Sequence, residues 1–292
     1  MAEAALIEVE GVDGSLWTLS GPGQGLEGVE LGTAPTGLYD APVKTIWNSS
    51  AYQIGATYGG ANWQKRDVVF GVNVYETDSA SWESVDSAWR KAWAYDRDSK
   101  LTVTTEYGAR TLHLRLSEQP EFKPKRDPHM KRWGQVTMTC TAGIPWWVED
   151  DVTVTAVSAT DTRQDGKSET LWVPVSNPTD QPMWLRWVAT APAVWTLPDY
   201  SFADDGHRSR VITLPSLIAG QDITVDTDPM EEMIAAADSS SVWARMNGQM
   251  FLHPVPAWTS ETKLPVTVKG AAPGATVQVR CPRNWSRPWG LQ

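Results

Sequence analysis

Alternation with a period of two recurs from one end of this chain to the other, and it limits the fold more than any other feature. In "RTLHLRL" (110–116), Leu112, Leu114 and Leu116 alternate with Thr111, His113 and Arg115. That is the pattern of a strand with one buried face. "VTVTAVSA" (152–159), "MWLRWVAT" (183–190), "LPVTV" (264–268) and "TVQVRC" (276–281) read the same way. "DVVFGVNVYE" (67–76) is a more continuous apolar run and predicts a strand covered on both faces. Strand signals dominate, and the expected class is mainly β.

One segment departs from this period. "SASWESVDSAWRKAWAYD" (79–96) places Trp82, Val85, Trp89, Ala92 and Trp93 at helical spacing. Ser79 or Ser81 suits its N-cap. A shorter helix is expected over "DPMEEMIAAAD" (228–238), where Pro229 and two Glu fall in the first turn. Two stretches read as long loops: 31–65, rich in Gly, Pro, Asn and Tyr, and 117–133, with three prolines and a cluster of bases. Loops of that length in a compact domain serve a function or reach a partner. "VTMTCTAGIPWW" (136–147) and "VQVRCPRNWSRPW" (277–289) both run strand, Cys, Pro-Trp. This weak repetition suggests two β-rich domains, 1–150 and 151–292, with the boundary near 147–152.

Composition narrows the function classes. The formal charge is −10, against the clustered bases that a nucleic-acid-wrapping surface needs. No apolar run approaches a membrane span, and the start, "MAEAALIEVEGVDGS", lacks the basic and apolar regions of a signal peptide. The two cysteines, Cys140 and Cys281, are too few for a disulfide framework and are expected as buried thiols. The 17 Trp against 4 Phe point to cores, interfaces or sugar platforms, because indole carries a large apolar area with one donor.

No catalytic constellation emerges. "GQGLEG" (23–28) matches G-x-G-x-x-G, but no helix follows it to face a phosphate, so it reads as a turn. "DTDPMEE" (226–232) gathers Asp226, Asp228, Glu231 and Glu232 without the further oxygen ligands of a calcium loop. It reads as a helix start capped by Asp228, with a cation site as the alternative. Asp204, Asp205 and His207 fall in a turn signal, and the four histidines share no metal-ligand spacing. No enzyme, metal or cofactor is expected. Lys123, Lys125, Arg126, Lys131 and Arg132 form a local basic reversal, readable as a solvated loop or as a docking patch for an acidic neighbour. The closing "CPRNWSRPWGLQ" puts Arg283, Trp285, Arg287 and Trp289 where termini are usually frayed and polar. Cys281 is expected to end the last strand and Pro282 to stop its pairing. The two rings then either cover their own domain or dock elsewhere.

The order of segments resembles a known family. "GSLWTLSGPGQGLEGVELG", "RDVVFGVNVYE", the Trp-bearing helix, "LTVTTEYGARTLHLRL" and "WGQVTMTC" are followed by "VSNPTDQPMWLRWVATAPAVWTLPDYSF", "WARMNG" and "CPRNWSRPWGL". Together they resemble the distal tail proteins of long-tailed phages, in the form found as minor tail proteins in phages of mycobacteria and their relatives. The resemblance spans essentially the whole chain.

It implies a split β-barrel with one helix and an extended arm over 1–150, and a galectin-like β-sandwich over 151–292. Six copies would close a ring between the tail tube and the tail-tip hub, at the tail tip of the virion. Tape-measure protein and then DNA would pass through it, past a neutral or acidic wall, with no membrane insertion. The 31–65 segment would be the arm. Candidate assembly residues are Trp47 and Trp63 on it, Lys123, Lys125, Arg126 and Arg132 in the basic loop, and Arg283, Trp285, Arg287 and Trp289 at the end. The competing reading is a carbohydrate-binding module contacting cell-wall saccharide. Sugar platforms expose one or two rings in a single groove, whereas assembly surfaces spread Trp over loops of both halves.

Overall fold

Antiparallel strands make up most of the regular structure in a computed structural model that describes residues 4–32 and 35–291. The chain divides into two units. One comprises Met1–Glu149 and Trp285–Leu291, and the other Asp150–Asn284. The second unit is therefore inserted into the first, which receives the end of the chain back.

The first unit contains β1 (Leu6–Glu10), β2 (Leu16–Ser20), β3 (Val29–Leu31), β4 (Val43–Asn48), β5 (Thr57–Trp63) and β6 (Arg66–Tyr75). Then come α1 (Trp82–Lys91), β7 (Ser99–Thr105), β8 (Gly108–Leu116), β9 (Glu121–Phe122), α2 (Pro128–Lys131) and β10 (Trp133–Ala142). β11 (Trp147–Val157) begins in this unit and ends in the second. β1 pairs with β2 and β7, and β7 with β8. β10 pairs along its whole length with β6, which pairs in turn with β3.

Within β6, Val68, Phe70, Val72 and Val74 are buried and Asp67 is exposed. The expected two-sided burial is thus realised fully on one face only. The helix is shorter than its apolar spacing suggests. Ser81 caps it, its Oγ accepting from Ser84 N at 3.4 Å. Ala94 lies beyond it, with its carbonyl accepting from Leu116 N, so the sheet claims that residue. Trp82, Val85 and Trp89 form the buried stripe of α1, and Trp89 sits edge-on to Trp17 and Trp93, both at 5.4 Å between ring centroids.

The second unit adds β12 (Glu169–Asn177), β13 (Arg186–Ala189), β14 (Val194–Pro198), β15 (Val211–Thr213), β16 (Ile223–Asp226), β17 (Ile234–Ala236), β18 (Thr259–Lys269) and β19 (Thr276–Trp285). One sheet runs β12-β18-β14-β15, and β17-β16-β13-β19-β11 line up in another. Their inner residues share one core that includes Val173, Trp187, Trp195, Leu264, Val266 and Val279. This is the alternation of the sequence turned into two layers.

Four sequence expectations are corrected. The 31–65 segment is not without structure, since β4 and β5 form a hairpin there. The 117–133 loop contains β9 and α2. The 228–238 helix does not form. Asp226 and Asp228 accept from the backbone N–H of Asp228 and Met230 at 3.0 and 2.9 Å. Such local turns compete with a helix, and Ile234 then joins β17 opposite Val225. Finally, β19 does not stop at Pro282 but continues to Trp285. Its ladder with β13 ends at Arg280, so Pro282 lies beyond that ladder, where a missing N–H is tolerated.

Both cysteines are free and buried, Cys140 in the first core and Cys281 in the second. Burial pushes their thiols up, to about 12 and about 11. Both stay protonated and unreactive at neutral pH.

Candidate assembly surfaces

Three features of the first unit concentrate most of the residues singled out by sequence. The first is the β4–β5 hairpin. It is a two-stranded sheet, with no third strand among the described residues, and each of its strand residues is exposed except Gly60, which is half-buried. Val43, Ile46, Tyr58 and the tip residues Tyr52 and Ile54 all face solvent. Between residues 43 and 63 the only charge is Lys44. Trp47 is 58% exposed and packs edge-on against Tyr58 at 5.6 Å. Trp63, 43% exposed, sits at the hairpin's root against Trp146 at 4.8 Å. An isolated hairpin is marginal in water, and strands with little charge and exposed apolar side chains invite pairing with another chain.

The second feature is the end of the chain, which is packed into the first unit. Trp285 is buried in the first core, with Nε1 donating to Glu149 Oε2 at 2.7 Å. The Arg110 guanidinium lies 3.7 Å from its ring centroid and donates to the Arg287 carbonyl at 3.0 Å. Arg66 is fully buried. Its Nε donates to the Pro145 carbonyl at 2.9 Å, Nη1 to Leu38 and Gly37 at 2.7 and 3.3 Å, and Nη2 to Ser286 at 2.6 Å. Burial draws its pKa down to about 10, so it remains charged at neutral pH. Trp289 is half-buried edge-on to Tyr39 at 5.1 Å, and Arg287 Nε meets Asp40 at 3.0 Å. Residues 37–40 lead into β4, so the chain terminus is packed at the root of the hairpin.

Two candidates drop out on these grounds. Trp285 is core, and Arg283 is buried in the second unit with Nη1 donating to the Ser176 carbonyl at 2.7 Å. Neither is free to face another chain. Arg287 and Trp289 reach solvent only in part. Arg66 and Arg110 are the important residues that sequence reasoning missed. Nothing local marks them, because their partners lie up to 220 residues away.

The third feature is the basic loop. Lys123, Lys125, Arg126 and Lys131 line a cleft of about 710 Å³ with Trp133 and Gln135. The loop is held in place from its other side. Phe122 stacks on Trp82 at 6.0 Å, and His129 meets the same indole edge-on at 5.3 Å. Arg132, at a left-handed φ of 53°, pairs with Glu76 at 2.7 Å and is not part of the cleft.

The tryptophans divide clearly. Eight are buried: Trp17, Trp82, Trp89, Trp93, Trp147, Trp187, Trp195 and Trp285. The exposed ones are spread over both units, with Trp47, Trp63 and Trp133 in the first and Trp172, Trp243 and Trp258 in the second. They do not gather in a single groove. Among the described residues no group of three or more His, Cys, Asp or Glu could hold a metal ion, and no helix is long and apolar enough to cross a membrane.

Comparison with known proteins gives consistent results. No established family profile matches the chain. The minor tail protein Gp27 of Mycobacterium phage L5 is 38% identical, and that of Mycobacterium phage D29 is 37% identical, with 100% of both chains covered in each case. Among solved structures, the fold is similar to the Dit protein of phage SPP1, described as a hub adsorption apparatus of phages infecting Gram-positive hosts. The TM-score there is 0.64 at 11% identity, over 97% of this chain and 99% of that one. It is also similar to a chain of the phage P2 baseplate in its activated conformation, with TM-score 0.53 at 10% identity, over 96% and 98%.

Proposed function

The chain belongs to the minor tail proteins of mycobacteriophages, and from that membership we propose that it is a structural protein of the tail tip, closing with five further copies into a ring. The ring joins the tail tube to the tail-tip hub. Tape-measure protein and DNA pass through it, and an acid-rich chain suits a wall along which phosphates must slide without adhering. Its role is that of a scaffold, not a catalyst.

The observation that carries the ring is the β4–β5 hairpin. A 21-residue segment with one charge leaves Val43, Ile46, Trp47, Tyr52, Ile54 and Tyr58 exposed, uncovered by the described residues. Rings need heterologous contacts, in which one patch meets a different patch on the next copy. A projecting hairpin rooted by Trp63 and the chain terminus is the natural donor of such a contact. The test is a native mass spectrum of the full-length protein with its tail-tube neighbour. Masses at six-fold multiples are expected. A chain that stays monomeric at high micromolar concentration overturns the reading.

A second reading has one observation in its favour. On the β12-β18-β14-β15 sheet, Thr170, Thr267, Thr196 and Thr213 stand in register across four strands. Their hydroxyls meet at 3.1 Å (Thr170 and Thr267) and 3.0 Å (Thr196 and Thr213), and exposed Trp172 lies on the same strand as Thr170. A hydroxyl row beside an indole suits a saccharide. Binding of host cell-wall polysaccharide that Trp172→Ala abolishes would place glycan contact alongside the ring, whereas unchanged binding, or none, removes it.

A further inference from the structure

The basic cleft and one acidic turn of the same chain are complementary in charge and in apolar character. Among the described residues Lys125, Arg126 and Lys131 have no ion-pair partner, and Lys123 pairs only with Glu121 at the cleft's own edge. Like charges gathered around a cleft repel one another until an anion enters. Trp133, 47% exposed, adds an apolar wall. The loop that carries these cations is pinned through Phe122 and His129 on Trp82, so the cleft is a formed site and not the chance result of a loose loop.

The acidic turn is residues 228–232, Asp-Pro-Met-Glu-Glu. Its carboxylates, Asp228, Glu231 and Glu232, have no ion-pair partner among the described residues. The turn is locked locally, with Asp228 Oδ1 accepting from Met230 N at 2.9 Å and the Asp228 carbonyl accepting from Glu231 N at 3.1 Å. Met230 is 88% exposed. A large apolar side chain held in water between carboxylates is what a cleft of lysines and tryptophan can bury, with the thioether against the indole.

We propose that the 123–133 cleft of one copy takes the 228–232 turn of a second copy. This rests on the ring reading, since a heterologous assembly requires two unlike patches per chain. A nucleic-acid strand is the competing occupant of the same cations, but it offers no counterpart to the exposed Met230 side chain that the Trp133 wall would cover.

The experiment mixes isotopically light and heavy full-length protein and treats it with a zero-length carbodiimide cross-linker, which joins a lysine to a touching carboxylate. Mixed-isotope cross-links from Lys125 or Lys131 to Glu231 or Glu232 are expected. The variant K125E/R126E/K131E should lose them and assemble about tenfold more weakly or worse. Adding E231K/E232K to the same chain restores opposite signs across the contact and should restore assembly. Native mass spectra of the same samples separate the two failures. Wild-type oligomers without the cross-link, or without rescue, sink the cleft contact and leave the ring standing. An absence of oligomers sinks the ring and this contact with it. A short duplex oligonucleotide bound by the wild type and released by the triple variant would assign the cleft to phosphates and overturn the proposal.

Discussion

Arg66 and Ser286, separated by 220 residues, are joined by a 2.6 Å hydrogen bond from the buried guanidinium Nη2 to the serine carbonyl. The same side chain donates to Pro145, Leu38 and Gly37. One cation therefore ties together the approach to the hairpin, the exit toward the second unit and the returning end of the chain. It satisfies four carbonyls, of which those of Pro145 and Leu38 are met in buried hydrogen bonds, and Leu38 also accepts from Trp147 Nε1 at 3.2 Å.

Arg66→Met should accordingly destabilise the first unit by about 1–3 kcal/mol, because it removes the hydrogen bonds of a fully buried side chain and leaves the buried Pro145 carbonyl unpaired. Arg66→Lys should recover only part of the loss, since an ammonium cannot reproduce the planar fork. Denaturant midpoints monitored through tryptophan fluorescence would measure both. A shift within the range of ordinary surface variants would mean that the carbonyls find other donors.

Removing residues 285–292 should open the first unit while sparing the second. The truncation takes Trp285 from a core that also contains Leu112, Leu114 and Val103. A buried Trp removed altogether costs about 3–5 kcal/mol. Hydrogen exchange should show lost protection in β7 and β8 and unchanged protection in β12 and β18. Uniform loss in both units, or loss in neither, would contradict the division of the chain.

Substituting the hairpin tip, Tyr52→Asp with Ile54→Asp, should leave stability within about 0.5 kcal/mol of the parent, because both side chains are fully exposed. Assembly should fall sharply, because the tip then carries charge into a buried contact. Sedimentation velocity reads the oligomer and thermal melting reads the fold. Normal oligomers from the double variant would show that the tip does not reach a neighbour.

Alkaline pH should weaken the fold through its two thiols. In the unfolded chain a thiol loses its proton near 9.0, whereas burial holds Cys140 to about 12 and Cys281 to about 11. Between pH 9 and 10 the native state binds more protons than the unfolded state, so stability falls as pH rises, by about 1 kcal/mol over that unit for each thiol. Above about 10, Arg66 begins to titrate with the opposite sign. Cys140→Ala should flatten the slope over that window in pH-dependent denaturation, and an unchanged slope would deny the thiol this part.

The strand pattern was legible because it is local. Leu112, Leu114 and Leu116 alternate in the chain and are all buried in the core. Trp82, Val85 and Trp89 likewise form the inner stripe of α1. The hairpin at 43–63 reads as a loop in sequence, because its strands bury neither face and so show no alternation in burial. The 228–238 segment resembles a helix in sequence because aspartates that favour a helix start also close turns, and the pairing of Ile234 in β17 decides between them. Of the candidate site, the exposed Trp47 and the lysines of the cleft stood out in the sequence. The buried Arg66 and Arg110 did not.

The sequence by itself determined a mainly β chain with one helix, two free thiols and a long segment at 31–65 set apart from the alternating strands. These follow from period, spacing and composition, which a residue carries wherever it lies. Only the tertiary structure decided that the second unit is inserted into the first and that Trp285 completes the core of the unit that begins the chain. Only it gathered Lys123, Lys125, Arg126 and Lys131 around one cleft with Trp133. The reason is physical. A strand's period records whether a face is buried, but not which partner buries it, and that choice is made by closure of the core between segments far apart in the chain.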